Sequence, residues 1–130
     1  MKILGHRGIR QEENSRLPYQ NTLEAIQYAL EKSADGVELD VIASRDGKCF
    51  VIHDDDISKH GSSSGFITEL QSEEIKSRRV GGDAGYKISA LSEILSLFKR
   101  NNKTINIEIK QEGISDIVLK EILDSKISLE

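Results

Sequence analysis

Seven side chains in this 130-residue sequence combine the right chemical types with suggestive positions. Glu38, Asp40 and Glu108 are carboxylates on segments that read as β-strands, and His6 and His53 stand at strand ends. Carboxylates pointing inward from strands are costly unless something neutralises them. A hard divalent cation would do so, because Mg²⁺ and Ca²⁺ take carboxylate oxygens. Two imidazoles, which ordinarily titrate near pH ~6.5, can supply one base and one acid near neutrality. Arg7 and Lys110 lie beside these residues in sequence and could hold an anion such as phosphate. Together the parts suit metal-assisted phosphoryl transfer.

Taken singly, the same residues have plainer readings. The alternation through Glu38 and Asp40 also fits the solvent face of an edge strand. A lone His53 fits a structural role, and Glu108 by itself carries no signal. His60 sits in a glycine-serine loop and is expected at the surface. Asp54-Asp55-Asp56 reads as a solvated turn, in which Asp54 could orient His53. The joint pattern, not any one residue, points to a site.

The elements that must position these groups follow from periodicity. Residues 2–6 read as a short buried strand, and residues 9–20, with the only proline (Pro18), as a loop. Asn21 or Thr22 can cap a helix with apolar positions Leu23, Ala25, Ile26, Ala29 and Leu30. Residues 37–43 alternate, with Glu38 and Asp40 on one face and Val37, Leu39 and Val41 on the other. Residues 49–53 form a second strand, and Asp46-Gly47 between the two signals a type I′ hairpin. With Asp46 and Gly47 as its central pair, Asp40 falls opposite His53. A loop-rich insert follows at 55–89, with a short helix near 72–79 capped by Ser72. Ser89 is expected to cap a helix running through Lys99. Residues 104–109 alternate again, and 115–127 make a final amphipathic helix. Alternating strands and helices imply an α/β domain with a parallel sheet.

Composition narrows the classes. The length suits one domain. No apolar run approaches the ~20 residues of a membrane helix, and no signal peptide is visible at the N-terminus. The net charge of −4, from 18 basic and 22 acidic residues, lacks the basic surplus of a nucleic-acid binder. The single cysteine, Cys49, excludes an intrachain disulfide and a cysteine-rich zinc site, so a reducing cytoplasm is the natural compartment.

The joint pattern resembles the glycerophosphodiester phosphodiesterase family. The resemblance is carried by His6-Arg7-Gly8, Asn21-Thr22-Leu23-Glu24-Ala25, Ala34-Asp35-Gly36-Val37-Glu38-Leu39-Asp40-Val41, Asp46-Gly47, Val51-Ile52-His53-Asp54 and Asn106-Ile107-Glu108-Ile109-Lys110. It runs from residue 3 to about 110, and the insert is similar to the family's small inserted subdomain. The resemblance implies a TIM-barrel-like (β/α)₈ fold with its site at the C-terminal ends of the strands. It implies Ca²⁺ or Mg²⁺ on Glu38, Asp40 and Glu108, an acid/base pair of His6 and His53, a phosphate grip by Arg7 and Lys110, and support from Asn21. The implied reaction splits a glycerophosphodiester into glycerol 3-phosphate and an alcohol, a step of lipid and glycerol metabolism.

Two departures stand out. The family's Pro-Glu-Asn-Thr segment is here Pro18-Tyr19-Gln20-Asn21-Thr22, so Gln20 replaces the glutamate and Tyr19 is an insertion. The chain is also about half the ~250 residues of a barrel, with three barrel strands and a fourth if the hairpin return joins the sheet. An open sheet of this kind is expected to pair with a second copy or with a chain carrying the remaining strands. The alternative to an enzyme is a truncated, non-catalytic phosphodiester-binding or interaction module of the same family.

Overall fold

The computed structural model describes residues 3–8, 16–99 and 102–127. Most of the expected loop, residues 9–15, and Leu129-Glu130 lie outside the described residues. The first strand, β1 (Leu4–His6), leads to helix α1 (Leu23–Glu31) and then to the long strand β2 (Gly36–Ala43). Thr22 caps α1, its hydroxyl accepting the Ala25 N–H and donating to the Tyr19 carbonyl. Strand β3 (Cys49–Val51) returns from β2. The segment that follows contains α2 (Ser72–Ile75) and a ribbon of β4 (Arg79–Val80) with β5 (Tyr86–Lys87). Then come β6 (Ser89–Ala90), α3 (Leu91–Ser96), β7 (Thr104–Ile109) and α4 (Ser115–Asp124).

β2 is the hub. It pairs in parallel with β7 from Gly36↔Thr104 to Val41↔Ile109 and in parallel with β1 from Leu4↔Gly36 to His6↔Glu38. Since β7 fills one edge of β2, β1 and the hairpin return β3 must share the other. β3 pairs antiparallel at Val41↔Val51, Ile42↔Phe50 and Ala43↔Cys49, and β6 extends the sheet beyond it. The return strand therefore joins the sheet, as a flank and not as a parallel barrel strand.

Alternation along β2 separates two cores. Val37, Leu39 and Val41 pack with Ile26, Leu91, Ile94, Leu95 and Val118 under the helices. On the opposite face, Ile42, Phe50 and Ile52 pack with Ile57, Ile67, Ile75, Val80 and Ile88 of the insert. Glu38 and Asp40 share the face of Ile42. The insert thus builds an apolar floor next to the carboxylates.

Several local expectations need correction. The hairpin closes at Ser44, whose N–H donates to the Lys48 carbonyl, while the Gly47 N–H donates to the Ser44 carbonyl. This is a three-residue loop with Gly47 in the left-handed region (φ 81°), not a type I′ pair. The register slips by one residue, so Ile52, not His53, bonds to the Asp40 backbone. Ser72 does not cap α2 but begins it, its N–H and hydroxyl both donating to Asp46. Ser89 accepts the Leu23 N–H at 3.1 Å and so caps α1, from 66 residues away in sequence. The start of α3 is secured by Glu93, which accepts the Ala90 N–H.

Candidate active site

Parallel pairing of β2 with β7 sets Asp40 opposite Glu108. Glu38, Asp40 and Glu108 each present an oxygen, and the three oxygens lie within 4.8 Å of one another. The Asp40 side chain is 1% exposed, so the solvent-face reading of this strand is wrong. Burial, and then the charge of Asp40, push the Glu38 carboxyl above the usual carboxylate range. Hydrogen bonding and attraction from Lys110 hold Glu108 below it. The Glu38 Oε1 atom is buried without a hydrogen-bond partner among the described residues. An orphaned buried oxygen beside two further carboxylates fits a hard divalent cation, which would satisfy all three.

Both expected anion-binding cations reach this cluster. Arg7 Nε lies 3.4 Å from Asp40 Oδ2, and Lys110 Nζ lies 3.2 Å from Glu108 Oε1 and 3.9 Å from Asp40 Oδ1. Arg7 also donates through Nη1 to Gln20 Oε1 at 3.2 Å. Gln20 therefore steers the guanidinium without adding a fourth negative charge.

Asn21 supports the centre directly, its Nδ2 donating to Asp40 Oδ2 at 3.0 Å. Arg7 and Asn21 both adopt the left-handed region, at φ 54° and φ 59°, and the Asn21 N–H donates to the Arg7 carbonyl at 2.7 Å. Non-glycine residues held there cost ~1–3 kcal/mol each and cluster at functional sites. Gly8, at φ 75°, lets this turn lie against α1; a Cβ there would come within 2.9 Å of the Ala25 backbone.

The two expected acid/base residues occupy different settings. His6 is half-exposed, and its Nδ1 lies 3.0 Å from Glu38 Oε2, which puts it at the carboxylate cluster. His53 does not stand beside Asp40 as expected. Its Nδ1 meets Asp54 Oδ2 at 3.0 Å, and it lines a narrow cleft with Gln20, Asn21 and His60.

The sequence reading missed most of what surrounds His53. His60 is 3% exposed, not a surface residue. Its Nε2 lies 3.0 Å from the same Asp54 Oδ2, and its Nδ1 is 2.7 Å from the Tyr19 hydroxyl. Of the acidic triplet, Asp56 keeps the exposed turn, while Asp54 and Asp55 reach partners elsewhere in the insert. Asp55 accepts from the Thr68 N–H and hydroxyl, and Asp56 caps the turn at Ile57–His60 through Ser58. Adjacency to His53 was the one available signal for Asp54. No local signal marks His60, because its burial depends on the insert folding back.

Carboxylates and imidazoles at the C-terminal ends of parallel strands stand where barrel-type α/β folds carry their active sites. The family model of the glycerophosphoryl diester phosphodiesterases matches residues 6–128. The chain is 35% identical over 130 residues to a glycerophosphodiester phosphodiesterase of Caldanaerobacter subterraneus subsp. tengcongensis, covering 92% of this chain and 51% of that one. It is 34% identical to one from Bacillus altitudinis, covering 93% of this chain and 52% of that one. The crystal structure of glycerophosphodiester phosphodiesterase from Thermotoga maritima superposes with a TM-score of 0.71 at 38% identity, covering 91% of this chain and 47% of that one. This chain belongs to the glycerophosphoryl diester phosphodiesterase family. It spans about half the length of the curated relatives it matches, and its fold is about half of their barrel with a small insert. Among the described residues, no helix is long and apolar enough to cross a membrane.

Proposed function

We propose that the chain carries the chemical centre of a metal-dependent phosphodiesterase that hydrolyses glycerophosphodiesters to glycerol 3-phosphate and an alcohol. The observation that supports this most is the convergence of Glu38, Asp40 and Glu108, together with the orphaned Glu38 oxygen. These three residues would hold Ca²⁺ or Mg²⁺. A cation bound there supplies charge neutralisation for a phosphoryl group and acidifies an oxygen nucleophile.

The chain's own residues do the rest. Arg7 and Lys110 balance the carboxylates in the free protein and would turn toward a phosphate when it arrives. His6 is anchored through Nδ1 on Glu38 and His53 through Nδ1 on Asp54, which leaves the second nitrogen of each ring for proton transfer. Asn21 fixes the orientation of Asp40. The same reading takes residues 1–130 as one phosphodiesterase-like domain, with an inserted subdomain at about 55–89. A second copy, or a chain supplying the remaining strands, would complete the barrel. Light scattering at micromolar concentration tests the self-pairing, which a monodisperse monomer would contradict.

The deciding assay is glycerol 3-phosphate release from glycerophosphocholine and glycerophosphoethanolamine. It is run with Ca²⁺ or Mg²⁺ and then with excess chelator, with His53→Ala as control. Release that needs both metal and His53 is expected. No release from folded protein in any metal would overturn hydrolysis and favour phosphodiester binding without turnover.

A further inference from the structure

We propose that His60 is a positioning residue: braced by Tyr19, it holds the Asp54 carboxylate so that His53 keeps its proton on Nδ1 and presents Nε2 to the phosphodiester. This rests on the acid/base role given to His53 above. Neither His60 nor Tyr19 belongs to the motifs that carry the family resemblance, and Tyr19 is the inserted residue in the segment before Asn21.

The geometry is that of a chain of contacts. His53 Nδ1 and His60 Nε2 both address one oxygen, Asp54 Oδ2, at 3.0 Å. His60 Nε2 sits off the line of a hydrogen bond to that oxygen and makes none with any other described residue, so a small turn of the ring toward Asp54 is what would satisfy it. On the far side of the ring, Nδ1 meets the Tyr19 hydroxyl at 2.7 Å, with the two rings edge-on at 74°. The backbone is pinned as well: the His60 carbonyl accepts the Gly81 N–H at 2.7 Å.

Charge and burial select the protonation states. An ionised carboxylate only accepts hydrogen bonds, so each nitrogen facing Asp54 carries a proton. Burial, opposed by the charge of Asp54, lowers the His60 pKa and favours the neutral ring. His60 then has a bare Nδ1, which accepts from Tyr19. Burial would raise Asp54, but the hydrogen bond from His53 and the positive charge around it, Lys59 included, hold it below the usual range. Arg7 also bears on His60, and Lys87 lines the same cleft. Without His60, the partly exposed Asp54 loses its second anchor and is free to turn away from His53. Partners that orient metal-bound imidazoles are worth about tenfold or more in affinity or activity, and the same scale is expected for a partner that orients His53.

The test uses the whole chain, whose three histidines give three resolvable imidazoles in long-range ¹H–¹⁵N spectra. In the wild type, His53 is expected as the Nδ1–H tautomer and His60 as the Nε2–H tautomer. His60→Phe should move His53 toward the Nε2–H form, and His60→Gln, which keeps a donor near Nε2, should restore it. His53 unchanged in folded His60→Phe overturns the proposal. If His60→Phe does not fold, Tyr19→Phe decides: the unbraced His60 ring should loosen its hold on Asp54 and His53 should gain Nε2–H form, and unchanged His60 and His53 spectra overturn it. In turnover, His60→Phe should lower kcat about tenfold, leave KM nearly unchanged and move the pH profile, with rescue by His60→Gln. A shifted tautomer in a chain with no turnover counts against the phosphodiesterase reading alone, and full turnover with an unshifted tautomer counts against the His60 proposal alone.

Discussion

Asn21 grips Asp40 from two directions: its Nδ2 donates to Asp40 Oδ2 at 3.0 Å, and its Oδ1 accepts the Asp40 backbone N–H at 3.4 Å. A side-chain amide offers a donor and an acceptor on separate atoms. Asn21→Ala removes both bonds inside a buried site and should cost ~2–3 kcal/mol in urea denaturation. Asn21→Gly relieves the φ of 59° while still losing the bonds, so it should be the milder change by about 1 kcal/mol. Equal losses for the two variants would show that the left-handed backbone stores no strain.

Glu38 gives a prediction whose sign depends on the cation. Its carboxyl is raised by burial and then by the charge of Asp40. A folded acid with a raised pKa contributes stability that is fully present below the unfolded pKa of ~4.3 and is lost as pH rises through the folded value. In chelator, Glu38→Gln should therefore melt higher than the wild type at pH 7, and the two should converge toward pH ~4. With Ca²⁺ added, the wild type should gain more than the variant. A variant that melts lower than the wild type in chelator would mean that Glu38 is satisfied by something other than a cation.

Asp46 behaves oppositely. Its pKa is lowered to about 2, first by the Ser44 hydroxyl, then by the Ser72 hydroxyl. A depressed carboxyl contributes stability present above the unfolded pKa of ~3.9 and lost as pH falls through the folded value. Because Asp46 is exposed, solvent screening reduces the effect to roughly 1 kcal/mol. Asp46→Asn should lose that amount at pH 7 and nothing below pH ~2, read from denaturant midpoints across pH. A pH-independent difference would assign the loss to geometry instead of charge.

Gly8 is both left-handed and pressed against α1. Gly8→Ala should destabilise by ~1–3 kcal/mol and weaken Ca²⁺ binding, because the turn that carries Arg7 would have to lift from the helix. Calorimetry on the folded variant separates the two effects. Unaltered Ca²⁺ affinity would detach the turn from the acidic centre.

What the sequence revealed, and what it hid, has a physical pattern. The convergence of Glu38, Asp40 and Glu108 was legible because strand alternation is a local rule, and parallel neighbours bring like faces together. The hairpin register was not, because Asp46-Gly47 fits a two-residue turn and a three-residue loop equally well. Only the hydrogen bonds of Ser44 distinguish them. Capping preferences are local and point Ser89 to the helix that follows it, yet it serves a helix much earlier in the chain. His60 was hidden for the same reason: glycine and serine around it suggested a surface loop, and only the long-range contacts to Tyr19 and Asp54 bury it.

The pairing of β2 with β7 also bears on the time course of folding. Just past that pairing, the Ala43 N–H donates to Gln111 Oε1 across a sequence separation of 68 residues. Contacts of such range close large loops, and non-local parallel pairings are slow to form. Asp40 and Glu108 meet only in that pairing. A cation that needs both carboxylates finds no partial site in a chain that has folded only α1 or the β2–β3 hairpin. Its stabilisation then comes only after the last barrier: it slows unfolding and leaves the rate of refolding unchanged.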